Sequence, residues 1–591
     1  MIDALCCPFD AAAILKNRKS IRRALLAGQS SRTPVRIAVL GGSTTHDIVS
    51  ITELFLLHEG IEPVFWECEY AQYWQTAMFQ LDTLRRFQPD VVFVHTTCRN
   101  LTQLPALTDA PETVEQKYAD QLAHFTAMWE RLAELRCVVI QNNLDPPPWR
   151  LLGNRDAYDL HGHVRFIQRL NAAFADYAAR CEHFYLHDID YLAARCGLDQ
   201  WHDPRAWYLY KCVPALPAVP AFAHSLSCIV KSLFGKNRKA LALDLDNTLW
   251  GGVISEDGPD GIELGVETAT GEAYTAFQRY VQSLQSLGVL LAVCSKNDEA
   301  RALEGLRHPD SVLSPENFAA FYANWRPKHE NLADIASSLH ILPDSLVFVD
   351  DNPAERALVR MQLPGVAVPE VGTVESYIAA LDRAGYFEPT NLSDDDLHRT
   401  EMLRADAQRQ QVRQQYADYT DYLRSLEMRA VIEDFQPQQY ARIAQLTNKS
   451  NQFNLTTRRY TLADIERLAQ DAGYLRLCGR LLDRFGDNGI VSIVLGRREG
   501  DRLHLELWLM SCRVLARDME LAMLDRLVER SRAAGVRELV GYYYPTAKNA
   551  MVRELYSRFG FARQSEDALG NAVYTLQTEG YQPQNHVIAL D

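Results

Sequence analysis

"KALALDLDNTLWGG", residues 239–252, runs an aliphatic stretch straight into Asp244 and Asp246, and then into Asn247 and Thr248. A short apolar run between polar flanks reads as a buried strand. Two carboxylates where such a strand runs out repel each other, and burial disfavours their charged forms. They are tolerated where a cation or phosphate chemistry needs them. In an open parallel sheet, ligands gather at the carboxyl ends of the strands. The stretch therefore predicts an α/β domain whose site begins at Asp244.

Working outward, further apolar runs at 289–296, 311–314, 345–351 and 366–371 read as strands, and 271–287, 298–306, 329–340 and 353–361 as helices. The later strand ends supply Ser295, Lys296 and Asn297, and then Asp350 and Asp351; Lys328 opens a helix between them. The set fits phosphoryl chemistry. One carboxylate attacks phosphorus and a second handles the leaving-group proton. A hard divalent cation such as Mg²⁺ neutralises the crowded carboxylates. A hydroxyl and a lysine hold the phosphoryl oxygens. Either aspartate pair alone would pass for a turn with local hydrogen bonds; all of them in order on strand ends of one sheet make that bland alternative weak.

The strings DLDNT, CSKN, WRPK and VDDNP resemble the haloacid dehalogenase (HAD) superfamily. Their longer forms, DLDNTLWGGVISEDG, LAVCSKND, FAAFYANWRPKHENL and VFVDDNPAER, resemble the FkbH-like glyceryl transferase/phosphatase family, as do LTNKSNQFNLTTRRYT (446–461), DRFGDNGIVSIVLG (483–496) and YYPTAKN (543–549). The resemblance implies a reaction: 1,3-bisphosphoglycerate is taken, its glyceryl unit is loaded onto the phosphopantetheine thiol of an acyl carrier protein for polyketide-type biosynthesis, and phosphate is removed. It also implies roles. Asp244 would accept the phosphoryl group and Asp246 would act as acid and base. Asn247, Thr248, Ser295, Lys296, Asn297 and Lys328 would hold substrate or phosphate. Asp244, Asp246, Asp350 and Asp351 would hold Mg²⁺. Only 49 positions separate Asp246 from Ser295, room for a flap and no cap domain.

Cys294 precedes Ser295 and carries two readings. A thiol there is a natural acceptor for an acyl group from an acyl phosphate. Against that, neighbouring strand residues face opposite ways, which would turn Cys294 into the core if Ser295 faces phosphate.

Before this domain, runs at 35–41, 63–68, 90–96, 137–143 and 183–190 alternate with helical stretches and imply a second parallel sheet. LGGSTTHD, QNN and Asp199-Gln-Trp-His202 resemble the SGNH-hydrolase layout, with Ser43 as nucleophile, Asn142 or Asn143 at an oxyanion site and His202 with Asp199 as base and orienter. Gly42 stands where that layout has aspartate, so a retained fold used for docking is the favoured reading. After the central domain, charged residues 392–425 read as a solvated connecting helix. The last part resembles a GNAT acyltransferase, with helices at 517–534 and 548–558. Arg513, Arg517, Asn549 and Tyr556 are its candidate carrier or pantetheine contacts, and Lys449, Arg458, Arg459 and Lys548 add basic charge; Ala516 and Asp518 stand where a phosphate-cradling loop wants glycine.

The expected architecture is α/β with three domains: a flavodoxin/SGNH-like parallel sheet, a Rossmann-like HAD domain with a minimal cap and a GNAT-like α+β domain. The expected spans are a helical lead-in at 1–34, then 35–225, 236–385, a helical linker at 386–427, and 428–580. A net charge of −15 argues against nucleic acid as a partner. The 12 cysteines hold no C-x-x-C pair and read as reduced thiols of a cytoplasmic protein. The N-terminal basic residues follow the apolar part, the wrong order for a secretory signal, and the apolar stretch 213–223 is broken by prolines, so no membrane is expected. Three rivals stand beside the transferase: a plain HAD phosphatase with appended modules, a non-catalytic carrier scaffold, and an acyltransferase working from the C-terminal domain with coenzyme A, which Ala516 and Asp518 disfavour.

Overall fold

Ala240–Leu243 forms a strand with all four residues buried in the computed structural model of the chain. Residues 2–28, 32–390, 418–450, 452–511, 514–546 and 548–590 are described, with positions 405, 408–409, 412–413 and 415–416. The chain divides into two compact units, Met1–Leu233 and Phe234–Asp591.

The first unit is built on five parallel strands, β1 (Thr33–Gly41), β2 (Ile61–Glu67), β3 (Val91–His95), β4 (Val138–Asn142) and β5 (Phe184–His187). Their order is β2-β1-β3-β4-β5, the flavodoxin-like arrangement. β3 and β4 are buried along their whole length, as strands covered on both faces must be. The segment Leu216–Leu233 is apolar and long enough to pass for a membrane span by length and composition, and 61% of it is buried inside the fold. Its Leu226 and Val230 line one small apolar cavity with Ile37 and Val91 of the sheet.

The second unit opens with four parallel strands, β6 (Ala240–Leu243), β7 (Leu290–Ser295), β8 (Phe318–Ala323) and β9 (Leu346–Val349), in the order β8-β7-β6-β9. This is the Rossmann-like pattern, in which the first strand is central and its carboxyl end is flanked by β7 and β9. Two expected strands fall elsewhere. Residues 311–314 make no strand, because the Val312 and Leu313 amides donate to Gln278 Oε1; the edge strand is Phe318–Ala323 instead. Of 366–371, only Ala367 makes a bridge, to Val347.

The rest of this unit is an eight-stranded mixed sheet, β10 (Arg429–Glu433), β11 (Tyr474–Asp483), β12 (Gly486–Glu499), β13 (Arg502–Met510), β14 (Glu538–Tyr543), β15 (Ala562–Glu566), β16 (Ala572–Gln577) and β17 (Ala589–Leu590), ordered β15-β16-β14-β13-β12-β11-β10-β17. Helix Met519–Ala533 packs its Met519 and Met523 over Gly479, where a Cβ would stand 2.4 Å from Met519 Cε. The expected helix at 548–558 is two short pieces, Ala550–Val552 and Leu555–Arg558. Much of the expected linker, 386–427, lies outside the described residues. Its end, Tyr419–Ser425, is not a solvated helix: Tyr422 and Leu423 are buried in the C-terminal core.

Inside this sheet β13 and β14 pair in parallel only from Arg502 to Leu505 and from Glu538 to Gly541. Beyond that point the chain's own residues 453–455 lie between them. Leu455 donates its amide to Trp508 O at 3.1 Å and accepts the Tyr544 amide at 2.9 Å, and the Met510 amide reaches Phe453 O at 3.0 Å. Asn549 latches the insert by donating to Asn454 O and Tyr544 O, both at 2.9 Å. An opening between diverging strands that would accept an extended ligand by strand addition is filled from within.

Candidate active site

β6 ends at Leu243, and Asp244 follows with its amide bonded to Val349 O at 3.0 Å. That bond carries the pairing of β6 with β9 one residue further and sets Asp244 beside Asp350. Lys328, the first residue of helix Lys328–Ser338, puts its ammonium between the two: Nζ is 2.6 Å from Asp244 Oδ2 and 2.5 Å from Asp350 Oδ2. All three are buried. Burial alone would lower the Lys328 ammonium, but Asp244 and then Asp350 outweigh it and hold it above its ordinary value. Asp350 is pushed up to about 6, by burial first and then by Asp244. Burial followed by Asp244 also raises Asp351.

Asp244, Asp350 and Asp351 offer carboxylate oxygens that lie within 4.8 Å of one another. A set of carboxylate oxygens this close suits a hard cation such as Mg²⁺, which pairs with oxygen and seldom with other donors. Arg356 fixes the turn that carries two of them, donating to Asp350 O at 2.8 Å and Asp351 O at 2.7 Å. Asn331 steadies the loop before Lys328 through Asn324 at 2.9 Å.

Asp246 stands outside this set. Its Oδ1 accepts from Trp250 Nε1 at 2.9 Å and the Ile254 amide at 3.1 Å, and its Oδ2 accepts from Asn297 Nδ2 at 2.9 Å. Its carboxylate is thus spent on neutral donors rather than turned to the other acids, which corrects its expected place as a metal ligand through the side chain. Burial raises its pKa, against the two N–H donors of Ile254 and Trp250. A carboxyl held this way suits proton transfer.

Other expected contacts are redirected. Asn247 sits at φ 53°, a left-handed turn that asparagine tolerates. Its side chain accepts the Gly252 amide at 3.0 Å, and its carbonyl accepts the hydroxyls of Tyr274 and Tyr377. It shapes the turn rather than holding phosphate. Lys296 is spent on Glu355 at 2.6 Å. Asn297 orients Asp246. Ser295, buried at the end of β7, and Thr248, whose buried hydroxyl has no partner among the described residues, remain as hydroxyl donors.

Cys294 lies in the apolar layer with Ala292, Leu332 and Ile335, its sulfur 3.6 Å from Lys328 O. Strand alternation turned it away from Ser295, and burial keeps the thiol well above its usual range. A protonated core thiol is a poor acyl acceptor, so the catalytic reading of Cys294 is corrected. Between β6 and helix Ala269–Ser286 the chain makes only a flap, closed by a bridge between Gly251 and Glu263.

In the first unit the SGNH-type constellation does not assemble as expected. Asp199 is exposed, and the acid beside His202 is Asp145, 3.7 Å from Nε2. Asn143 is spent on the Asp188 carboxylate and the Ile189 amide, capping a helix. Ser43 is buried with no hydrogen-bond partner for its hydroxyl among the described residues. Asn142 instead bridges His95 and His187 at 2.7 and 2.9 Å.

The C-terminal candidates are structural too. Arg517 pairs with buried Asp483 at 3.2 Å, Asn549 is the latch described above, and Tyr556 is buried in the core. Arg513 and the Lys449 side chain lie outside the described residues. Arg458 pairs with Glu506, Arg459 bonds the Thr447 and Asn448 carbonyls, and Lys548 pairs with Asp344 at 2.6 Å. Sequence reasoning missed Trp250, Arg356, Asp145 and the insert at Leu455; all four lie in or beside a recognised string, but the partners of Asp145 and Leu455 are distant in sequence.

Residues 36–231 match the family model described as FkbH, N-terminal domain. A crystal structure of the N-terminal part of the protein BF1531 from Bacteroides fragilis, containing a phosphatase domain complexed with Mg, is 29% identical and covers 63% of this chain and 98% of its own, with a TM-score of 0.59. The ribosomal-protein-S18-alanine N-acetyltransferase from Escherichia coli is 14% identical over 27% of this chain and 99% of its own, with a TM-score of 0.21. No curated protein matches the chain.

Proposed function

We propose that this chain, which matches the FkbH N-terminal family model over residues 36–231 and is similar to a solved phosphatase-domain structure complexed with Mg, is a glyceryl transferase/phosphatase of HAD type that takes 1,3-bisphosphoglycerate and loads a phosphopantetheine thiol on an acyl carrier protein. The observation that carries the phosphoryl half is the pairing of Lys328 with both Asp244 and Asp350 beside a separately held Asp246. Asp244, Asp350 and Asp351 would hold Mg²⁺, which supplies charge neutralisation for the carboxylates and the phosphoryl oxygens.

In the acyl half, the carrier sulfur attacks the acyl carbon, the bond to the 1-phosphate oxygen breaks, and inorganic phosphate leaves. In the phosphoryl half, Asp244 attacks the 3-phosphoryl group and Asp246 protonates the departing alkoxide oxygen. Water, deprotonated by Asp246, then cleaves the aspartyl phosphate. Lys328 would balance the charge of the phosphoryl oxygens and the Ser295 hydroxyl would donate to one of them. Burial of Cys294 favours direct transfer to the carrier over an acyl-enzyme at that thiol.

Intact-protein mass spectrometry tests the reading, with Mg²⁺, 1,3-bisphosphoglycerate made in situ and a phosphopantetheinylated carrier. A dephosphorylated glyceryl adduct on the carrier is expected, and with Asp244→Asn the adduct should keep its phosphate or not form. Free phosphate without an adduct on any of several carriers would leave a plain phosphatase.

A further inference from the structure

The first unit carries an aromatic surface that the phosphoryl centre does not use. Helix Pro204–Tyr210, sequence PRAWYLY, has no buried residue. Tyr208, Leu209 and Tyr210 are 69%, 59% and 67% exposed, and Trp149, beyond β4, is 62% exposed. So short a helix has little stability of its own. It is held instead by its ends. Asp203 caps the Arg205 and Ala206 amides, and the Tyr210 and Lys211 carbonyls accept from Thr44 at 2.6 and 3.0 Å. The helix is therefore fixed to the loop after β1 with its apolar side chains turned outward.

Arg99 makes one patch of helix and loop. Its guanidinium lies 5.2 Å from the Trp149 ring and 4.8 Å from the Trp207 ring. Lys211 lies over Trp207 at 5.4 Å. Arg150 and Arg205 extend the rim along the chain, and among the described residues none of these four cations is paired with a carboxylate. Arg99, Arg150, Arg205 and Lys211 outnumber Asp145, Asp199 and Asp203 in these segments, and Asp145 is buried, so the patch is locally positive in a chain of net charge −15. Fixed aromatic anchors rimmed by unpaired cations are the makings of a protein interface.

We infer that this patch docks an acidic, phosphopantetheine-bearing carrier domain, an inference that rests on the carrier-loading function proposed above. Charge complementarity selects the occupant. A small acidic domain meets only cations within a Debye length, about 8 Å at physiological ionic strength. An anionic membrane or nucleic acid is an extended surface and meets the negative charge of the whole chain as well.

The test uses the full chain and a set of acidic, phosphopantetheinylated carrier domains, with affinity read by calorimetry. The double variant Leu209→Ser/Tyr210→Ser changes no buried side chain, and Arg205→Glu reverses a rim charge. Each should weaken carrier binding at least tenfold, with the charge reversal also flattening its salt dependence, while carrier-free phosphate release from bisphosphoglycerate stays unchanged. Carrier binding untouched by these variants would overturn the proposal, as would no carrier binding at all. Patch-dependent binding of phosphatidylglycerol vesicles, or a patch-dependent dimer, without an effect on the carrier would give the surface to another occupant. If no thioester forms yet patch-dependent binding persists, the loading reaction fails and the docking surface stands.

Discussion

Asn297 Nδ2 lies 2.9 Å from Asp246 Oδ2, so a residue just past the end of β7 sets the angle of a carboxylate just past the end of β6. Trp250 Nε1 holds the other oxygen at the same distance. With both donors in place Asp246 has one orientation. Asn297→Ala frees one oxygen, and Trp250→Phe leaves the other to the Ile254 amide alone. Each should lower kcat for phosphate release about ten- to a hundredfold with KM nearly unchanged, since proton transfer by a placed group is worth ~10²–10⁴. Steady-state kinetics on each variant checks this; a change in KM alone would count against the proton-transfer role.

Among the described residues Lys328 is the only cation paired with Asp244 and Asp350. Removing one partner of a buried ionic group leaves uncompensated charge and costs about 3–5 kcal/mol. Lys328→Met should therefore lower the melting temperature of the second unit. Mg²⁺ should restore more of that loss than it adds to the wild type, because the carboxylates would have lost their other counter-ion. Thermal melts in Mg²⁺ and in EDTA give both numbers.

The buried thiol gives a prediction of opposite kind. Cys294→Ala should keep phosphate release and carrier loading within about threefold, since a core cysteine behaves as a small apolar residue. Iodoacetamide should label Cys294 only after unfolding. Peptide mass spectrometry reads the labelling, and rapid native-state labelling would contradict the packing of that thiol.

The first unit should weaken in mild acid. Burial holds His95 at about 4, and His187 and His224 at about 3, all below the ordinary value of 6.5. The unfolded chain therefore takes up protons first as pH falls below about 6.5, and stability is lost from there down to about 4 for His95 and about 3 for His187 and His224. At pH 5 each such histidine costs about 2 kcal/mol. Urea midpoints for the first unit at pH 7.5 and 5.0 should differ accordingly, and His187→Gln should flatten the dependence.

Coenzyme A should not bind the C-terminal sheet with micromolar affinity. The space between β13 and β14 already holds Leu455, which bonds both neighbours. Asp518 opens the following helix where a phosphate would want glycine amides. Calorimetric titration with coenzyme A decides it.

How far all this could be read from sequence follows from how local each signal is. Asp244, Lys328 and Asp350 were legible because strand ends in a parallel sheet converge, and β6 and β9 are marked by unbroken apolar runs. The fate of Cys294 was legible as a question of parity. The position of β8 was not: Phe318–Ala323 is a half-buried edge, whereas residues 311–314 carry β-formers but give their amides to Gln278. The acid beside His202 comes from 57 positions upstream, and the partner of Asn549 from 95, separations no local pattern reports. Arg517 and Tyr556 looked like ligand contacts by spacing, yet one neutralises Asp483 and the other fills the core.

The flap closed by Gly251 and Glu263 has a consequence for fidelity. A phosphoryl centre without a cap of its own does not choose between water and a larger acceptor by shutting water out. Discrimination then passes to whatever sits over the mouth while reaction proceeds. On this reading the acceptor acts as the stopper, and idle turnover by hydrolysis is the behaviour of the chain left alone.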